Sequence, residues 1–368
     1  MRTASTSAQP SLQAQDRSAN RFDFLRLVAA WLVLFSHCYP LAGRQQEEPL
    51  LSSAFGIDTL GGLGVSIFFV LSGYLVTLSW ERSRGLWDFL QRRVLRIYPA
   101  LLVTCLLCVF FLGPWLTTLS PTEYWMQAKT WGYFKTATAF QINYGLPGLF
   151  VANPLPHVVN GSLWSIAYEV RFYVFLMLLG VLPGAMRHKS LLLLAVLGGL
   201  LLLRPPVPPA ATDELFLGLD FYDNKLGILF CMGAVFAAWR HRVRPGGWAA
   251  LILLAAAALP LGSLQLLLFV TGFGMFVLWL GFHGRWLPQL PARMGDWSYG
   301  LYLYAFPVQQ TLAHFRLHEY SFVLYVLCTS VLTFGLAALS WHGVEKHALR
   351  WKASGGLFGW GVRETELR

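Results

Sequence analysis

The sequence predicts an all-α integral membrane protein, a polytopic helical bundle of about ten transmembrane helices with both termini cytoplasmic. Three observations carry that prediction. Of 368 residues, 56% are hydrophobic and only 12% charged, whereas soluble domains carry about 25% charged residues. Apolar runs approaching the ~30 Å hydrocarbon thickness recur from residue 24 to residue 343. The Lys and Arg residues also alternate between crowded and sparse loops. With the N-terminus inside, 20 of the 28 fall in inner segments and five in outer ones (Arg44, Lys129, Lys135, Arg204, Arg316), while Arg26, Arg171 and Lys225 lie within spans. This is the positive-inside pattern. The net charge of +10 therefore reads as topology, and no nucleic-acid partner is expected.

The spans are expected near 24–42, 60–80, 95–115, 162–182, 190–204, 220–239, 247–262, 264–282, 297–313 and 321–342. Residues 1–20 are polar and read as a disordered cytoplasmic tail, 21–346 as one transmembrane domain, and 347–368 as a second cytoplasmic tail. The first apolar run is longer than a signal-peptide core and lacks a convincing cleavage site, so it is expected to remain as a helix. Residues 116–161 are rich in Trp, Tyr, Gly and Pro and are placed outside, with an interfacial or re-entrant helix near 124–142. The five cysteines all fall in apolar spans and make no disulfide or zinc framework. Cys105 and Cys108 read as small packing residues, and no metal site is expected.

Ionisable groups inside these spans mark the chemistry, because charge in hydrocarbon is costly and by default functional. The first span carries Arg26 and His37, eleven residues apart, which returns them to within ~20° of one helical face and separates them by ~16 Å. A plainer reading has Arg26 snorkelling at the helix end and His37 bonded to a neighbouring helix. Gln91-Arg92-Arg93-Val94-Leu95-Arg96-Ile97-Tyr98-Pro99 places Arg93 and Arg96 on one face at the inner mouth of the third span. Guanidinium forks suit phosphate oxygens, and lipid headgroups would satisfy them equally well. Glu169, in Ser162-Leu163-Trp164-Ser165-Ile166-Ala167-Tyr168-Glu169, lies ~10 Å inside the fourth span. His37 lies at comparable depth, and the two could pair to support general-base chemistry. Arg171 points to another face. No nucleophile elbow, zinc-protease motif or phosphate loop is present.

Taken together, these stretches resemble the acyltransferase 3 family of integral membrane acyltransferases. The similar features are Arg26 with His37, Phe68-Phe69-Val70-Leu71-Ser72-Gly73-Tyr74-Leu75, the Arg92–Pro99 stretch, the Ser162–Glu169 stretch, Ser298–Pro307 and the closing Trp341-His342-Gly343-Val344-Glu345-Lys346. They occur in the family's order over about 20–346. Two departures stand out. Ala305 occupies a position that often holds histidine in the ninth-span motif, and no esterase-like domain follows residue 353.

The resemblance implies O-acyl transfer, commonly of acetyl, from cytoplasmic acyl-CoA to a hydroxyl of a surface or exported glycan or glycolipid, as in lipopolysaccharide modification at a bacterial inner membrane. It assigns the catalytic histidine to His37, its paired arginine to Arg26, the two donor-site arginines to Arg93 and Arg96, and the motif glutamate to Glu169. Acetyl-CoA is then the expected donor, and membrane lipid is a further partner. Trp125, Trp131, Tyr133 and Tyr144 of the outer segment could stack on sugar faces or anchor at the interface. The competing expectation is a multi-span transporter or flippase that uses the same intramembrane charges.

Overall fold

The computed structural model describes residues 21–51, 58–204, 219–291 and 294–353. The tail expected at 1–20 lies outside them, as do residues 354–368. Each expected span meets a helix, and no strand forms among the described residues. The helices are α1 (Phe22–Leu41), α2 (Leu60–Glu81), α3 (Leu86–Leu107), α4 (Pro121–Met126), α5 (Ala128–Gly132), α6 (Trp164–Val181), α7 (Met186–Leu203), α8 (Phe221–Ala238), α9 (Gly247–Ala256), α10 (Ser263–His283), α11 (Ser298–His314), α12 (Leu317–Tyr320), α13 (Phe322–Ser340) and α14 (Lys346–Ala353). A π-helical turn at Cys108–Leu112 carries α3 on to Leu116, and another at Trp341–Glu345 joins α13 to α14.

Seven helices among the described residues have the length and apolarity to cross a membrane: α1, α2, α3 extended to Leu116, α6, α7, α10, and α13 extended to Trp351. The other three fall short for visible reasons. Helix α8 carries Asp223-Asn224-Lys225 in its first two turns, and α11 has 17 residues. Helix α9 has only 10, about 15 Å or half a bilayer. Its expected span ran to residue 262, but Pro260 biases the preceding backbone away from helix and Gly262 turns with φ 58°. Helix α3 departs in the other direction, starting at Leu86 rather than near 95. Its first turns lie beyond the apolar stretch, where charge is tolerated, and Arg92 pairs with Asp88 one turn back at 2.8 Å.

Helix α2 is central because its small residues let neighbouring backbones approach, the usual packing device in membranes. A Cβ on Gly73 would stand 1.9 Å from the Phe230 carbonyl oxygen of α8, and one on Gly233 of α8 would stand 2.1 Å from that of Val70. The contact is thus glycine to backbone in both directions. On its other side, α2 packs Gly64 against the Ala29 carbonyl of α1.

Residues 117–163 form a cap with its own core. Tyr124, Tyr133, Leu146, Leu149 and Phe150 are buried there with Cys105 of α3 and Cys108 of the π-helical turn after it. The single helix expected near 124–142 is broken into α4, α5 and a 3₁₀ segment at Tyr133–Thr138. Amide side chains tie the cap to α11. Asn153 donates to the Gln310 side chain at 2.7 Å, Gln310 donates to the Val158 carbonyl at 2.6 Å, and Asn160 donates to the Leu303 carbonyl at 2.9 Å.

Replacing Gly73 by Ala drives a methyl into a carbonyl that belongs to α8 itself, so relief requires the helices to part. Overpacking of this kind costs about 3 kcal/mol. The expected result is a lower melting temperature in detergent, with Gly73→Leu failing to give monodisperse protein. Unchanged melting of Gly73→Ala would contradict the close α2–α8 approach.

Candidate active site

Polar residues inside the bundle converge on a cavity of about 640 Å³ lined mainly by α1, α2, α3, α6 and α11. Its charged end lies near the starts of α1, α3 and α11 and the end of α2, the end expected from the sequence to face inward. Asp23, Arg26, Arg82, Arg92, Arg93, Arg96 and Asp296 line it there. Further in, the walls are Ser72, Glu169, Tyr173 and Tyr299, and beyond them Phe68, Ser165 and Tyr302. From Ser79, which accepts a hydrogen bond from Arg93 at 3.3 Å, to Phe68 is eleven residues along α2, or ~16 Å.

The inner end is organised by one carboxylate. Gly295 adopts φ 69° with the Trp341 ring packed against its Cα, and this turn delivers Asp296 to the start of α11. The backbone N–H of Ser298 donates to Asp296 Oδ1 at 3.2 Å, and the Ser298 hydroxyl bonds the same oxygen. Asp296 Oδ2 accepts from Arg26 and, at 2.6 Å, from Arg96. Arg96 also pairs with Glu345 of the second π-helical turn at 3.3 Å, and Glu345 accepts from Ser340 at 3.0 Å. Burial alone would raise the Asp296 carboxyl, but Arg26 and Arg96 hold it down at about 2.

Arg93 is different. Its guanidinium lies over the Tyr173 ring at 5.5 Å and the Phe89 ring at 5.9 Å. Its Nε is buried without a hydrogen-bond partner, and no described carboxylate lies within ion-pair distance of it. Glu169 accepts from the Tyr173 hydroxyl and from Ser72 at 3.5 Å. Arg171 turns away as expected, lying over Tyr168 and pairing with Asp223 at 3.1 Å.

His37 stands beyond the far end of the cavity and does not line it. Its ring meets Phe306 edge-on at 5.3 Å, and its Nδ1 is buried without a partner. Tyr302, which exchanges a 2.8 Å hydrogen bond with Ser165, is one turn before Phe306 on α11, and Ser165 is one turn before Glu169 on α6. His37 therefore sits roughly two turns, ~11 Å, outward of Glu169. Arg26, Arg93, Arg96 and Glu169 share one chamber, whereas His37 and Glu169, expected at one depth, make no contact.

Comparison with known proteins decides what this arrangement belongs to. A family model described as an acyltransferase domain, that of acyltransferase 3, matches residues 20–342. The chain belongs to the acyltransferase 3 family. It is 31% identical to the O-acetyl transferase of Shigella phage Sf6 over 340 residues, covering 90% of this chain and 96% of that one. It is 28% identical to nodulation protein 10 of Rhizobium leguminosarum bv. viciae over 94% of this chain and 97% of that one. Over 38% of this chain and 23% of the relative, it is 34% identical to the peptidoglycan O-acetyltransferase OatA of Listeria monocytogenes. No solved structure matches.

Within the acyltransferase 3 motifs, the structure adds residues that sequence reasoning passed over. Ser72 and Glu345 stood only as members of motif stretches, and Asp296 stood two residues before one. Their position at the ends of the late motifs was the available signal. Ala305, where the family often has histidine, is buried among apolar residues. One turn on, Gln309 donates to the Leu34 carbonyl and to Cys38 Sγ beside His37. Of the aromatics considered for sugar stacking, Tyr133 is fully buried and unable to do so, while Trp131 (51%) and Tyr144 (43%) are exposed.

Asp296→Asn removes the carboxylate shared by two guanidiniums, and breaking such a pair costs about 3 kcal/mol. The wild-type contribution is complete above the unfolded carboxyl value of about 3.9 and is lost as pH falls toward about 2. The melting deficit of the variant should therefore be equal at pH 7 and pH 5 and shrink only below about pH 4. A deficit that already vanishes at pH 6 would contradict the ion-pair account.

Proposed function

We propose that this protein is an O-acyltransferase that takes an acyl group, acetyl first among candidates, from cytoplasmic acyl-CoA and delivers it to a hydroxyl of a glycan or glycolipid on the outer side. The observation that carries the reading is the cavity itself. It is basic at the inner end and aromatic at the far end, and it stops one helical turn short of Phe306, the neighbour of His37. The fold consistent with it has ten membrane passes, both ends cytoplasmic, in a bacterial inner membrane.

Acyl-CoA suits this shape because its phosphates are anionic and its pantetheine arm is long and narrow. Phosphates at the guanidinium end leave the arm to run past Ser72 and Glu169 toward Tyr302. Glu169 and Ser72 are hydrogen-bonding groups in a largely aromatic passage, placed to accept the amide N–H groups of the arm. The thioester then lies at the layer of Phe68, Tyr302 and Phe306. Neutral His37 takes the proton of the acceptor hydroxyl as its oxygen attacks the thioester carbonyl. The carbon–sulfur bond breaks and the departing thiolate takes that proton from the His37 imidazolium, so coenzyme A leaves as the thiol and His37 is neutral again. An acyl-histidine intermediate would add a step that this geometry does not require. The names of the phage and Listeria relatives support O-acetylation, and the Listeria name supports a glycan acceptor.

The test is coenzyme A release by protein in lipid nanodiscs, with acetyl-CoA as donor and surface glycans as acceptors. His37→Ala should lower release by ~10²–10⁴-fold, the usual worth of a general base. Glu169→Gln, which keeps the shape and weakens the acceptor, should raise the KM for the donor more than it lowers kcat. Full release from His37→Ala would remove the general base from the scheme. Absence of release together with anion or glycan flux in sealed vesicles would favour the transporter.

A further inference from the structure

Five guanidiniums surround the inner end of the cavity, and the structure divides them by what already neutralises them. Arg26 and Arg96 share Asp296, and Arg96 also holds Glu345; two cations and two anions form a closed set. Arg92 is paired with Asp88. Arg93 and Arg82 remain, both lining the cavity and neither ion-paired among the described residues. Arg93 spends one N–H on Ser79 and keeps a buried Nε without a partner. Arg82 follows the last residue of α2, one turn nearer the mouth than Ser79, with its side chain exposed.

On the reading that the donor is acyl-CoA, we infer that its phosphates are held by Arg93 and Arg82, with Arg93 on the diphosphate and Arg82 on the ribose 3′-phosphate. Arg26 and Arg96 become positioning residues, whose charge is consumed by Asp296 and Glu345 in setting the walls. The order follows from the donor's own connectivity. The diphosphate is nearer the thioester than the 3′-phosphate is, and Arg93 is deeper than Arg82. A part-buried guanidinium that has rings and a hydroxyl for company but no carboxylate keeps a desolvation cost that an incoming anion offsets, whereas a guanidinium already forked to carboxylate has that demand met. Arg82 thereby acquires a role beyond the positive-inside anchoring that explains Arg84, which does not line the cavity.

The experiment measures the dissociation constants of coenzyme A, dephospho-coenzyme A and pantetheine for the nanodisc-embedded protein and three variants. Arg93→Ala should weaken coenzyme A and dephospho-coenzyme A alike by ~10–100-fold, the worth of a charge-assisted hydrogen bond, and leave pantetheine within twofold. Arg82→Ala should weaken coenzyme A alone by ~2–5-fold, as expected for an exposed charge. Arg96→Gln should weaken all three ligands by one common factor and lower the melting temperature, the mark of a wall residue. Arg93→Lys keeps the charge and loses the fork; partial recovery of affinity separates phosphate binding from a folding defect. The inference is overturned if Arg93→Ala and Arg82→Ala bind coenzyme A normally, or if Arg96→Gln spares pantetheine while losing the phosphorylated ligands. Failure of the wild-type protein to bind coenzyme A would instead overturn the donor reading on which the inference rests.

Discussion

The bundle depends on the cluster Arg26–Asp296–Arg96–Glu345. Two guanidiniums and two carboxylates, mostly removed from water, are tolerable only when each has its partner. The partners are 270, 200 and 249 residues apart in the chain. They meet only if α1, α3, the start of α11 and the turn after α13 reach the same level together. Apolar contact with lipid-like neighbours cannot set that level, because sliding one greasy helix along another changes little. Charge pairing sets it sharply. The π-helical turn at Trp341–Glu345 fits this role, since such a turn redirects one face of a helix where a site needs it, and here it turns Glu345 inward to Arg96.

A cavity in the membrane needs walls that resist collapse. On one side they come from close glycine contacts: α2 lies backbone to backbone against α8, leaving no slack for it to shift outward. On the other, Tyr299 donates its hydroxyl to the Ile97 carbonyl of α3 at 2.9 Å, and Tyr302 is bonded to Ser165 of α6. Rigid aromatic spacers thus hold α11 off α3 and α6, and the volume between them persists. The polar groups facing it are satisfied mainly by one another. Arg92 and Arg93 depart from this, each keeping a buried Nε without a hydrogen-bond partner.

Much of this architecture was legible in sequence. Helix existence followed from apolar runs, and Arg26, Arg93, Arg96 and Glu169 stood out because charge in a span is costly. Their convergence on one chamber was beyond a linear reading, but each was flagged. The misplaced element was depth. Counting residues from guessed span ends put His37 level with Glu169, whereas the contacts of α11 order Glu169, then Ser165 with Tyr302, then Phe306 with His37. An error of a few residues at either span end moves a side chain by a full turn. Asp296 and Glu345 were hidden for another reason: a carboxylate at the end of a Tyr- and Trp-rich stretch looks like interfacial decoration until its partner, hundreds of residues away, is known. The end of α9 was placed too late because apolar composition continues past Ala256, where the helix stops.

The two ends of the site share one beam. Helix α11 gives Asp296 at its start to the charge cluster, Tyr299 and Tyr302 to the cavity wall, Phe306 to His37, Gln309 to the backbone of α1, and Gln310 to the outer cap. The charge cluster and the cap are therefore attached to the same helix some four turns apart. The cap meets α11 through amides that are buried and bonded on both sides, contacts whose loss would strand donors and acceptors in an apolar setting. A displacement of α11 at either end must reach the other, because no flexible joint among the described residues interrupts Ser298–His314. Pro307 lies within it, one residue after Phe306, and removes the backbone hydrogen bond there. The carbonyl freed by it belongs to Leu303, and Asn160 of the cap donates to that oxygen at 2.9 Å, so the bond the helix loses there is replaced from the cap.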